Sequence, residues 1–101
     1  MPYWTNMKIL KIKKMVTVKK FYGVWCGPCR ALTPVMNEIK GNFSNVKFED
    51  IDIDEYSEVT EKYGVRSVPT VIIERDGVEF QRFTGLSSKI AYVNAINEAV
   101  K

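Results

Sequence analysis

Phe21-Tyr22-Gly23-Val24-Trp25-Cys26-Gly27-Pro28-Cys29-Arg30 holds both cysteines of the chain, two residues apart and preceded by tryptophan. A β-forming run, Met15 to Tyr22, leads into this stretch, and Leu32, Val35, Met36 and Ile39 leave it at helical spacing. The pair is therefore expected at a strand-to-helix turn. Free backbone N–H groups and the helix dipole favour negative charge there, so a thiolate costs less than in water. Cys26 is the expected nucleophile. Cys29, about one turn further in, is expected to be more shielded and placed to attack a mixed disulfide on Cys26.

Two other readings compete with redox chemistry. An inert staple across so short a loop would remove little unfolded-chain entropy, so a purely structural role has little motive. A zinc site wants four Cys or His ligands, whereas the chain has two cysteines and no histidine. One molecule cannot close the usual site, which leaves metal bridging across a dimer or an inert pair as the alternatives.

At 101 residues and 46% hydrophobic, the chain fits one compact domain over residues 1–101 with a single core. Met1 to Lys8 lacks a continuous apolar stretch, and no run approaches the length of a membrane span. A soluble, cytoplasmic protein without a membrane partner is expected, and in that compartment an isolated C-x-x-C is more often catalytic than structural. The net charge of +3 is unevenly placed: six lysines and no acids occupy the first twenty residues, while Glu49 to Glu61 carries seven carboxylates. Two solvated faces of opposite sign account for this. The lysines lie on a strand-like segment without a recognition motif, so no nucleic-acid partner is expected.

In chain order, Met7 to Ile12 reads as a short strand and Met15 to Tyr22 as a second, with too few residues between them for a helix. A helix should run from about Cys26 to Lys40, with Gly41 as its C-terminal cap and a kink at Pro34. Val46 to Ile53 reads as a strand. Asp54 can then cap a helix carrying Tyr56, Val59 and Tyr63 on one face, which Gly64 ends. Asp76-Gly77 between Val71–Glu74 and Val78–Phe83 is a hairpin signal. Ser87 or Ser88 can cap a last helix with Ile90, Val93, Ile96 and Val100 inward. The order β-β-α-β-α-β-β-α implies an α/β fold, a central mixed sheet flanked by helices.

With these residues in place, the chain resembles the thioredoxin family from about Val16 to the C-terminus. The resemblance rests on Trp25-Cys26-Gly27-Pro28-Cys29, Pro34, Tyr63-Gly64-Val65-Arg66-Ser67-Val68-Pro69-Thr70, Asp76-Gly77 and Thr84-Gly85. It implies a thioredoxin fold, here without the usual first helix, and a redox-active Cys26–Cys29 disulfide supported by Trp25, Gly27 and Pro28. It also implies a cis Pro69 against the cysteines, with Val68 offering backbone hydrogen bonds to an extended substrate segment. Trp25, Val68, Pro69, Thr84, Gly85 and Leu86 would form the docking surface around Cys26.

One departure bears on mechanism. Most thioredoxins carry a buried aspartate six residues before the first cysteine and a lysine on the neighbouring strand. Here those positions hold Lys20 and Asp50, so the charges look exchanged. Strand alternation independently puts Lys20 on a face with Val16, Val18 and Tyr22, and Asp50 on a face with Val46 and Phe48. A charge among apolar neighbours is costly unless paired, so a Lys20–Asp50 pair behind the cysteines is expected. The alternative is that Lys20 reaches solvent beside Lys19 and Asp50 joins the acidic stretch. In the family the buried carboxylate helps remove the proton from the second cysteine. An ammonium has no lone pair for that task, so resolution by Cys29 should rely more on electrostatics or water.

The resulting expectation is a monomeric protein-disulfide reductase acting through Cys26 and Cys29, on disulfide-containing proteins, with a thioredoxin reductase as electron donor and no metal or organic cofactor. A glutaredoxin-like protein recycled by glutathione is the first alternative. A non-catalytic partner-binding module on the same scaffold is the second.

Overall fold

The computed structural model describes residues 14–101. The expected strand Met7 to Ile12 and the missing first helix lie outside the described residues. From Val16 onward the alternation and cap signals map onto β1 (Val16–Tyr22), α1 (Gly27–Asn42), β2 (Val46–Asp52), α2 (Ser57–Lys62), β3 (Thr70–Arg75), β4 (Val78–Thr84) and α3 (Lys89–Val100). The described sheet has the order β2-β1-β3-β4. β1 and β2 are parallel, as a strand–helix–strand crossover requires, while β3 runs antiparallel to both β1 and β4. The sheet is thus mixed, with helices on both faces.

Alternation along β1 sends Val16 and Val18 to one face and Phe21 to the other. The first face, with Val71 and Ile73 of β3, packs against Leu32, Met36 and Ile39 of α1 and Tyr92, Ala95, Ile96 and Ala99 of α3. Burying each large aliphatic side chain here contributes roughly 1.5–3 kcal/mol. On the opposite face Phe21, Ile51 and Ile72 form a smaller cluster with Ile53, Tyr63, Val65 and Val68. Asp76 and Gly77 turn the β3–β4 hairpin with φ of 55° and 81°, the left-handed geometry that an Asp-Gly turn supplies.

Three local expectations need correction. Gly41 lies inside α1 rather than capping it; the helix runs through Pro34 and ends at Phe43, whose N–H donates to Lys40 O. Asp54 does not cap α2, which has Tyr56 at its N-cap without a side-chain hydrogen bond. Its carboxylate is engaged elsewhere, as described below. Ile90 is exposed, because α3 turns Tyr92 inward instead. That tyrosine was missed because its hydroxyl reads as polar, yet it is fully buried, with the hydroxyl accepting the Ser87 N–H at 3.0 Å. Ser88 does cap α3, its Oγ accepting the Ala91 N–H at 3.2 Å.

Candidate active site

The C-terminal end of β1 feeds the N-terminus of α1 through a tight turn in which Cys26 N donates to Gly23 O at 3.1 Å. Cys26 is the N-cap of α1, in extended conformation, and Cys29 N donates to Cys26 Sγ at 3.2 Å. The sulfur thus takes the place that a Ser or Asp oxygen usually fills at a helix start. Pro28 fits the first turn because the N–H it lacks would have no partner there. An N–H and the positive end of the helix both face Cys26 Sγ, the environment that stabilises a thiolate.

Cys26 and Cys29 are joined as a disulfide, with Cα atoms 5.3 Å apart. The two residues are 4% and 3% exposed, so the expected difference in shielding is not present in the oxidised pair. The bond holds both sulfurs in one buried position between α1 and the loop before β3.

That loop brings Val68 and Pro69 to the cysteines. The Val68–Pro69 peptide bond is cis, Pro69 is fully buried, and Val68 O lies 3.8 Å from Cys26 Sγ. Gly85 N donates to Pro69 O at 2.8 Å, which ties the end of β4 to the same place, and Thr84 pairs with Thr70 in the β3–β4 ladder. Trp25 and Leu86 stand out from the surface, 62% and 51% exposed. The Trp25 indole N–H donates to Asp54 Oδ2 at 2.9 Å, and Asp54 N donates to Asp52 Oδ1 at 2.9 Å. This is the task that occupies Asp54. A tryptophan and a carboxylate 29 residues apart give no local signal of such a bond.

Behind the disulfide, β1 and β2 place Lys20 opposite Asp50 in parallel register. Lys20 Nζ lies 3.6 Å from Asp50 Oδ1; the lysine side chain is 9% exposed and the aspartate 52%, so only one end of the pair is buried. Lys20 Nζ also lies 3.5 Å from Thr33 Oγ1, which donates to Cys29 O at 3.2 Å. An open cavity of about 310 Å³ is lined by Lys20, Tyr22, Gly23, Val24, Cys29, Arg30, Thr33 and Asp50. Thr33 and Arg30 were not singled out from the sequence. Thr33 follows Cys29 by four residues on α1, so the helical repeat alone puts both on one face. Arg30 donates to Val24 O at 3.1 Å and closes the outer wall. Burial and the nearby Asp52 and Asp50 carboxylates push the Tyr22 phenol above its ordinary range, keeping it neutral.

On the other face of the sheet, Lys19 bridges Glu49 at 2.7 Å and Glu74 at 3.4 Å, and the Tyr63 hydroxyl donates to Glu74 at 2.7 Å. The two lysines of β1 therefore serve opposite faces. Among the described residues, no helix is long and apolar enough to cross a membrane.

Comparison with known proteins agrees with this geometry. The Thioredoxin family model matches residues 5–98. The chain is 40% identical over 78 residues to a thioredoxin from Chlamydia caviae, covering 77% of this chain and 76% of that one. It is likewise 40% identical over 81 residues to a thioredoxin from Rickettsia bellii, with 79% and 77% covered. The fold superimposes on the crystal structure of a thioredoxin from Nicotiana alata with a TM-score of 0.82 at 30% identity, covering 97% of this chain and 85% of that one. A disulfide that forms between a helix N-cap and its first turn, on a sheet of this topology and in a chain this similar, places the protein in the thioredoxin family of protein-disulfide oxidoreductases.

Proposed function

We propose that the protein reduces disulfides in other proteins through a mixed-disulfide intermediate, acting as a single domain. The observation that carries this reading is the Cys29 N–H aimed at Cys26 Sγ across the first turn of α1. In the reduced protein the Cys26 thiolate attacks a substrate sulfur, and the first substrate thiolate leaves. Cys29 then attacks Cys26 Sγ, the mixed disulfide breaks, and the second substrate thiolate departs. The Cys26–Cys29 disulfide formed is the one described above.

Val68 and Trp25 support the placing of substrate. Val68 O beside Cys26 is available to an extended chain, and exposed Trp25 and Leu86 flank it, with Thr84 and Gly85 completing the rim. Pro69 offers no N–H to compete for the sulfurs. Turnover needs a source of two electrons, which by family likeness is a thioredoxin reductase in the cytoplasm.

A Cys29→Ser variant should trap a protein disulfide substrate on Cys26, seen as a dithiol-sensitive adduct on a non-reducing gel. Cys26→Ser should form no such adduct, and neither variant should turn over with a thioredoxin reductase as electron source, because neither can form the Cys26–Cys29 disulfide that the reductase reduces. Trapping through Cys29 in the Cys26→Ser chain would reverse the assignment. Turnover driven by glutathione at a rate equal to that with a thioredoxin reductase would favour the glutaredoxin-like alternative.

A further inference from the structure

Lys20 is a buried cation that the exchange chemistry above does not use. Among the described residues its polar neighbours are Asp50 Oδ1 at 3.6 Å and Thr33 Oγ1 at 3.5 Å. Both are long beside the usual charge-assisted distance of roughly 2.7–2.9 Å, so the ammonium is held in place without being tightly neutralised. Asp50 is half-exposed and screened by solvent, whereas Lys20 is buried and screened much less. The unbalanced part of the lysine charge therefore acts inward, on the cavity that Cys29 lines.

The charged and titratable groups facing that cavity are Lys20 and Tyr22 from β1, Arg30 beside Cys29 on α1, and Asp50 from β2. Two cations thus stand against one carboxylate, with the Tyr22 phenol neutral. Thr33 links Lys20 to the Cys29 backbone, since its hydroxyl donates to Cys29 O while lying 3.5 Å from Lys20 Nζ.

We infer that Lys20 is a positioning residue for the resolving step: held by Thr33 and Asp50, its ammonium stabilises the Cys29 thiolate across the cavity and takes the place of a general base. The inference rests on the dithiol reading above. Cys29 gives its proton to cavity water, for which a space of about 310 Å³ has ample room at roughly 30 Å³ per molecule. The Cys29 thiolate forms the bond to Cys26 Sγ, and the bond from Cys26 to the substrate sulfur breaks. The electron pair leaves on the substrate thiolate, which takes a proton from water. The substrate disulfide is reduced, the protein dithiol is oxidised, and no further reactant is needed.

The test uses the full chain with Cys26→Ala, which leaves Cys29 as the sole thiol, and follows thiolate absorbance against pH. Lys20→Met should cut the Cys29 thiolate fraction at neutral pH about tenfold, the effect of one lost neighbouring charge, while Lys20→Arg should stay within about twofold. Asp50→Asn should raise the thiolate fraction, because it leaves the ammonium unopposed. In chains with both cysteines, single-turnover release of substrate thiol should follow the same order.

An unchanged thiolate fraction in folded Lys20→Met would overturn the inference. So would a lowered fraction with slower resolution in Asp50→Asn, since Asp50 would then be acting as the base. Asp50 is half-exposed, so its variant decides the matter even if Lys20→Met does not fold. Failure of the unaltered dithiol to reduce any disulfide would remove the reading beneath. The substrate-free Cys29 titration keeps that failure distinct from failure of the inference.

Discussion

At Gly23 a Cβ would lie 2.7 Å from Trp25 Cε2 and 2.8 Å from Trp25 Cζ2, closer than carbon atoms approach without something shifting. The indole has little freedom to yield while its N–H is bonded to Asp54. Gly23→Ala is expected to push the exposed ring off Asp54 at a cost of about 0.5–1.5 kcal/mol for the lost hydrogen bond. In a Trp4→Phe background, emission should shift to the red, and Asp54→Ala should reproduce the shift. Unchanged emission in Gly23→Ala would mean that the backbone moves instead. The glycine before Val24-Trp25 is thus required by the tryptophan two residues on, a dependence close enough in sequence to be legible once the turn is known.

At the scale of the element, α3 shows what periodicity reads well and where it slips. Both Ile90-Val93-Ile96-Val100 and Tyr92-Ala95-Ile96-Ala99 are helical stripes, and they share Ile96. Side-chain size favours the first, and Val93 and Val100 do pack against the core, but the helix is turned so that Tyr92, Ala95 and Ala99 are buried and Ile90 is left exposed. The start of the helix was legible because a serine cap acts over three residues. Ser88→Ala should destabilise the protein by about 1 kcal/mol in urea unfolding with an unchanged m-value, since it removes the side-chain acceptor and leaves the Ala91 N–H only its 3.1 Å bond to Ser88 O. In α1 the same local logic located the cysteines at the N-terminus, whereas Gly41 misled because the C-terminal residues continue the helix to Asn42.

Across the whole molecule, three strands meet in the Lys19–Glu49–Glu74–Tyr63 network, which makes stability depend on pH at both ends of the range. Hydrogen bonding to Lys19, opposed by burial and aided by Lys47, holds Glu49 below its ordinary value of 4.5. A carboxyl depressed on folding contributes stability that is fully present above 4.5 and lost as pH falls through the folded value. Tyr63 behaves in the opposite sense. Its hydrogen bond to Glu74, together with burial, raises it above 10.0, so its contribution is present below 10.0 and lost as pH rises through the folded value. Urea unfolding from about pH 3 to pH 11 should therefore show Glu49→Gln flattening the acid limb and Tyr63→Phe the alkaline limb. Equal slopes in variant and parent would show that the network carries no linkage.

The features that the amino-acid sequence alone determined act over a few residues. The C-x-x-C pair lies at a strand-to-helix turn because β-formers precede it and a helical stripe follows. The Asp-Gly hairpin and the Ser88 cap need no distant partner. Strand alternation also put Lys20 with Val16 and Val18 on one face of its own strand, and Asp50 with Val46 and Phe48 on one face of its own. Only the tertiary structure decided what each side chain meets there. The parallel register sets Asp50 beside Lys20, and the crossover lays α1 over that face so that Thr33 and Cys29 close the cavity around the ammonium. Asp54 bonding Trp25 in place of a helix N–H has the same origin. Such partners lie tens of residues away, and chain packing rather than local propensity selects among them.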